Sequence, residues 1–189
     1  MRICCIGDSN TFGFDPRFPA GGRYHHDVRW AGRLEAAGHA VANYGWNGLP
    51  VCRSLHSQFG RLLAGEGQFD LVTVMLGTND VLLGSSANEI VRSMERFIIE
   101  LKEQVAKRRT RILLIAPPPL APGHWVEGEE PILRSQALAA GYRAVAERQG
   151  VSFADAGLWG IPLAYDGVHF TEEGHRVFAE KLIEYLNRL

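Results

Sequence analysis

Two short segments near opposite ends of the sequence carry side chains suited to one kind of chemistry. Ser9 lies in Gly7-Asp8-Ser9-Asn10-Thr11, and His169 closes Asp166-Gly167-Val168-His169. A serine hydroxyl attacks a carbonyl carbon only when a base takes its proton, and imidazole suits that task near neutral pH. The imidazole needs an acceptor on its second nitrogen, which fixes the tautomer and stabilises the charged form. Asp166, across a glycine turn from His169, offers that acceptor if the loop folds back; Asp155 is an alternative. A tetrahedral intermediate also needs donors aimed at its oxyanion. Three candidates are the backbone N–H of Ser9, the N–H of Gly48 and the side-chain amide of Asn79, in Gly77-Thr78-Asn79-Asp80. Glycine suits position 48 because no Cβ blocks approach to its backbone, and Gly45 is the alternative there. Each segment alone also reads as turn or cap chemistry, since Gly-Asp-Ser and Asn-Gly are ordinary turn formers. Their conjunction, in order, carries the weight.

These residues need a framework that brings distant segments together. Short, nearly continuous apolar runs occur at Arg2–Ile6, Ala40–Asn43, Leu71–Leu76, Ile112–Ala116 and, weakly, Val151–Phe153. Runs without polar alternation suit strands covered on both faces, as in a parallel sheet. Helical patterns lie between them. Ile90, Met94, Phe97, Leu101 and Val105 share one face, Ser86-Ala87-Asn88-Glu89 reads as a capping box, and Lys107-Arg108-Arg109 follows as a solvated basic end. A second helix spans Pro131 to Gln149, with Leu138, Tyr142 and Val145 near one stripe. The last starts at the capping hydroxyl of Thr171 and turns Phe178, Leu182 and Leu186 inward. Val28–Ala37 and Val51–Ala64 are weaker helical patterns. The alternation predicts one α/β domain over residues 1–189, a three-layer α/β/α sandwich with a five-stranded parallel sheet in the flavodoxin-like order 2-1-3-4-5. Ligands of such folds bind beyond the carboxyl ends of the strands, where all four segments fall.

Composition narrows the partners. The 189 residues include Lys+Arg 20 and Asp+Glu 21, a net charge of -1, so no electrostatic case exists for nucleic acid or an anionic membrane. A small-molecule partner is expected, with homo-oligomer formation left open. No apolar run approaches a membrane span, and Ile3-Cys4-Cys5-Ile6 is too short for the core of a secretory signal. Cys4, Cys5 and Cys52 are odd in number and lack metal-ligand spacing, so reduced thiols in a cytoplasmic protein are expected.

The four segments resemble the conserved blocks of the SGNH (GDSL-type) hydrolases, whose name lists the Ser, Gly, Asn and His. The similarity runs from residue 7 to residue 169. Val28-Arg29-Trp30, Met75-Leu76, Pro117-Pro118-Pro119-Leu120-Ala121-Pro122 and His169-Phe170-Thr171-Glu172 further resemble the short-chain arylesterase and acyltransferase branch. The resemblance implies a cofactor-free serine esterase acting on short-chain carboxylic esters through an acyl-enzyme, with acyl transfer as a further capacity. It implies Ser9 as nucleophile, Asp166 and His169 as triad partners, and Ser9, Gly48 and Asn79 as oxyanion hole. Asp8 and Asp80 are expected to organise loops. Phe12 and Trp46 are candidate walls of the substrate site, as are Trp125 and Trp159. His25-His26 and His124 are weak metal candidates without helical ligand spacing. A second reading, a flavodoxin-like binding module holding an anion on Gly7–Thr11, leaves Asn79 and the Asp166/His169 pair idle.

Overall fold

The computed structural model describes residues 1–18, 20–51, 68–106 and 109–188. The strands β1 (Arg2–Gly7), β2 (Ala40–Gly45), β3 (Leu71–Met75), β4 (Arg111–Ala116) and β5 (Ser152–Asp155) form one sheet in the order β2-β1-β3-β4-β5. Every neighbouring pair is parallel. This is the expected order. The helices are α1 (Ser9–Phe12), α2 (Trp30–Ala36), α3 (Thr78–Leu82), α4 (Ala87–Val105), α5 (Glu130–Gln149) and α6 (Glu172–Leu186).

Successive strand residues face opposite sides of the sheet, and both sides are buried. In β1, Cys4 and Ile6 join the core under α4 and α5, while Ile3 and Cys5 join the core under α2 and α6. In β4, Ile112 and Leu114 face the first core and Leu113 and Ile115 the second. Two covered faces explain why these strands read as unbroken apolar runs. The edge strands β2 and β5 are only partly buried, which is why β5 gave the weakest signal. Burial also pushes the Cys5 thiol up to about 12, so it is no nucleophile at neutral pH. Cys4 is likewise buried and in no disulfide; Cys52 lies outside the described residues.

Helix boundaries follow local chemistry. The Ser86 hydroxyl accepts from the Glu89 N–H, and the Glu89 carboxylate accepts from the Ser86 N–H, the expected capping box of α4. Thr171 accepts from the Gly174 N–H and starts α6. The Val28–Ala37 pattern forms a helix only from Trp30, and most of the Val51–Ala64 pattern, with Lys107 and Arg108, lies outside the described residues. No described helix is long and apolar enough to cross a membrane.

Register sets the site. Gly7 pairs with Gly45 on one side and with Met75 on the other, so β1, β2 and β3 end level. The segments that follow them therefore emerge side by side at the carboxyl edge of the sheet.

Candidate active site

Asp8 caps the single-turn helix α1, its carboxylate accepting from the Asn10 N–H at 3.0 Å. Ser9 thus occupies the first helical position, where its own N–H has no acceptor within the helix. Its Oγ lies 3.0 Å from His169 Nε2, and His169 Nδ1 lies 2.7 Å from Asp166 Oδ2. All three side chains are buried. With Nδ1–H donating to Asp166, the tautomer is fixed and Nε2 is left with its lone pair toward the Ser9 hydroxyl.

The turn bearing Asp166 and His169 is built around the carboxylate. Asp166 Oδ1 accepts from the N–H groups of Val168 and His169, each at 2.9 Å. Burial opposes ionisation of Asp166, yet the hydrogen bonds from the His169 ring and those two N–H groups outweigh it and hold its pKa below the ordinary carboxylate value. The proline-rich segment after β4 docks on the same turn: Ala121 N–H donates to Gly167 O, His124 N–H to Tyr165 O and Trp125 N–H to Asp166 O. Gly167 has φ +77°, and a Cβ there would sit 2.1 Å from Ala121 O. Only glycine fits. Asp155, the alternative acid, instead caps the turn after β5 by accepting from the Gly157 N–H.

Gly48 lies on a turn in which the Leu49 N–H donates to Trp46 O, and its φ of +74° favours glycine. A Cβ at Gly48 would meet open space, so the backbone conformation, and no crowding by the protein, selects glycine here. Gly45 is different. It is buried against α1, where a Cβ would come 2.1 Å from Phe12 N. Two side chains of α3 fasten the loop that bears Gly48: Asn79 Nδ2 donates to Leu49 O at 3.2 Å, and Asp80 Oδ2 accepts from the Val51 N–H at 2.8 Å. The first bond uses one of two Asn79 amide hydrogens and orients the other.

Asp8 is the unusual carboxylate. Burial raises its pKa from 3.8 to about 6, against the lowering pull of the Asn10 N–H, of His169 when protonated and of the nearby Thr78 hydroxyl, while Asp80 adds repulsion. Among the described residues Asp8 Oδ2 is buried without a hydrogen-bond partner.

Aromatic rings enclose His169. Phe14 lies 4.6 Å from the imidazole centroid and the half-exposed Trp125 lies 5.0 Å away, edge to face. Trp125 was visible as a candidate wall in the sequence; Phe14 was not, because nothing local marks it. Of the other candidate walls, Phe12 packs under the Arg23 guanidinium at 4.2 Å, and Trp46 is partly exposed beside Gly48. Trp159 packs on Phe178 in the core under α6. A cavity of about 280 Å³ next to Trp125 is lined also by Val81, Leu82, His124 and Arg134. A larger one, about 400 Å³, opens at the opposite edge of the sheet around Lys102, Arg111 and Ser152, away from Ser9, Asp166 and His169.

His25 and His26 pair with Asp27 and Glu35, respectively. Among the described residues no group of three or more His, Cys, Asp and Glu side chains is arranged to hold a metal ion.

The model of the GDSL-like lipase/acylhydrolase family matches residues 5–177. The chain belongs to that family. A sequence search of the curated proteins finds no match. Among solved structures, an aryl esterase from M. smegmatis superposes with a TM-score of 0.88 at 28% identity, covering 100% of this chain and 99% of that one. A carbohydrate acetylesterase from Sinorhizobium meliloti gives 0.88 at 25% identity, with 100% and 99% covered. An Agrobacterium tumefaciens protein assigned as an arylesterase gives 0.86 at 29% identity, again with 100% and 99% covered. This GDSL-like protein is accordingly a carboxylic ester hydrolase, and the binding-module reading is set aside.

Proposed function

We propose that the protein hydrolyses short-chain carboxylic esters through a Ser9–His169–Asp166 triad and a covalent acyl-enzyme. The observation that carries this reading is the unbroken hydrogen-bond chain from Ser9 Oγ through the imidazole to the buried Asp166 carboxylate. His169 Nε2 takes the Ser9 proton as Oγ bonds to the ester carbonyl carbon, and the carbonyl π electrons move onto oxygen. The Ser9 N–H, the Gly48 N–H and the free Asn79 amide hydrogen stabilise that oxyanion. The intermediate collapses with loss of the alkoxide, which His169 protonates as it leaves. Water then attacks the acyl-enzyme with His169 again as base, releasing the acid and restoring Ser9. A second alcohol in place of water gives acyl transfer.

The Trp125 cavity suits the alcohol portion of the substrate, because the leaving group departs on the side of His169. Its mix of an aromatic wall with His124 and Arg134 fits a polyhydroxylated alcohol, in line with the carbohydrate acetylesterase among the structural neighbours. Cytoplasmic location and small-molecule partners complete the reading.

Fluorophosphonate labelling tests it. The probe should add one phosphonyl group on Ser9, read by peptide mass, and Ser9→Ala should neither label nor turn over p-nitrophenyl acetate while its thermal midpoint stays within a few degrees of wild type. Retention of most activity in pure Ser9→Ala protein would remove Ser9 as nucleophile.

A further inference from the structure

The side chain next to the nucleophile makes two contacts that the proposed chemistry does not use. Asn10 is 4% exposed, and its carboxamide spans the two peptide groups on either side of His169. Asn10 Nδ2 donates to Val168 O at 3.1 Å, and Asn10 Oδ1 accepts from the Phe170 N–H at 2.9 Å. The Asn10 backbone is itself held: its N–H donates to Asp8 Oδ1 at 3.0 Å, and its carbonyl accepts from Trp30 Nε1 at 2.9 Å.

The backbone partners of residues 168–170 divide into two groups. Val168 N–H and His169 N–H go to Asp166, and His169 O accepts from the Ala164 N–H, all within the loop that carries them. These bonds shape the loop and orient the imidazole on Asp166. They do not fix where the loop stands relative to α1. Val168 O and Phe170 N–H are the groups that reach across to α1, and both go to Asn10. These two bonds form a clasp one residue from Ser9 and one residue from His169, nearer the pair than the other tie of this loop, the Tyr165 hydroxyl donating to Pro16 O at 2.8 Å.

We propose that Asn10 is a positioning residue that holds the His169 backbone at hydrogen-bond distance from Ser9. The inference rests on the triad reading above. A carboxamide supplies one donor and one acceptor in this span at every pH. Ionised aspartate keeps the volume and the acceptor for the Phe170 N–H but presents an oxygen without a proton to Val168 O. Alanine removes both bonds and leaves two buried backbone groups unpaired. Misplacement of a reacting pair by about an ångström costs up to roughly 100-fold in rate.

Steady-state kinetics on p-nitrophenyl acetate, with fluorophosphonate labelling rates, tests the clasp in Asn10→Asp, Asn10→Ala and Ser9→Ala, all well below their thermal midpoints. The expected result is a fall in kcat of about 10- to 100-fold for both Asn10 variants, with KM within a few-fold of wild type. The labelling rate at Ser9 should fall in parallel. Asn10→Asp preserves size and one bond, so it carries the test if Asn10→Ala does not fold. Wild-type kcat and labelling in folded Asn10→Asp, or a loss confined to KM, overturns the positioning role while an inert Ser9→Ala leaves the triad standing. Activity in Ser9→Ala overturns the triad itself.

Discussion

Asp8 shows at the scale of one residue how this site stores cost. Its folded pKa, raised from 3.8 to about 6 chiefly by burial, means that the folded state holds the proton more tightly than the unfolded chain. Stability is therefore lost as pH rises through that window and stays lost above it. A rise of that size corresponds to about 3 kcal/mol, as an order of magnitude. Asp8→Asn keeps the capping acceptor and carries no charge. The variant should gain on wild type as pH climbs from about 4 to about 7, then hold that gain, in chemical denaturation series across pH. A gain that is flat over the whole range would mean that Asp8 is not the titrating group. Asp166 runs the other way, since its depressed pKa adds stability that is lost on acidification. At this scale the sequence was legible where chemistry is local: Ser9, His169 and Asn79 stood in recognisable blocks. Phe14 and the Asn10 clasp were not, because their partners lie far along the chain, as with Asn10 and Phe170, 160 residues apart.

Elements were legible according to their burial and their ends. β1, β3 and β4 announced themselves because two cores cover them, and α4 because a capping box and an apolar stripe coincide. β2 runs two residues past its apolar pattern, through Tyr44 and Gly45, where pairing to β1 overrides composition. The turn carrying Asp166 is the element most exposed to single substitutions. Gly167→Ala places a Cβ against the Ala121 carbonyl in a left-handed conformation and should cost about 2 kcal/mol or more. It should also lower kcat in the protein that remains folded, because Asp166 and His169 move with the turn. Ser86→Ala supplies the comparison: losing the α4 cap costs about 1 kcal/mol, far from the site, and should leave kcat per folded molecule unchanged. Paired measurements of thermal midpoint and kcat separate the two. Equal kcat in both variants would show that the turn does not hold the triad.

The molecule as a whole sets the size of substrate it can accept. The cavity beside Trp125, assigned above to the alcohol portion, is about 280 Å³, at the lower end for a ligand site. Each methylene that finds apolar cover adds about 0.8 kcal/mol of binding, so a deep acyl channel would raise kcat/KM steeply with chain length. This protein should instead reach a plateau or decline after the shortest acyl groups. A p-nitrophenyl series from acetyl to octanoyl, kept below micelle-forming concentrations, measures it; a steady rise through octanoyl would point to a lipid or thioester substrate. The layout has another consequence. Ser9 stands in the first turn after β1, whereas His169 and its carboxylate belong to a turn between β5 and α6. Contacts so distant in sequence close late when a chain folds, after the entropy of the intervening loop has been overcome. On the ribosome Ser9 emerges early, without His169, and meets it only when the sheet is complete. Under the triad proposed above, the serine is made first and armed last.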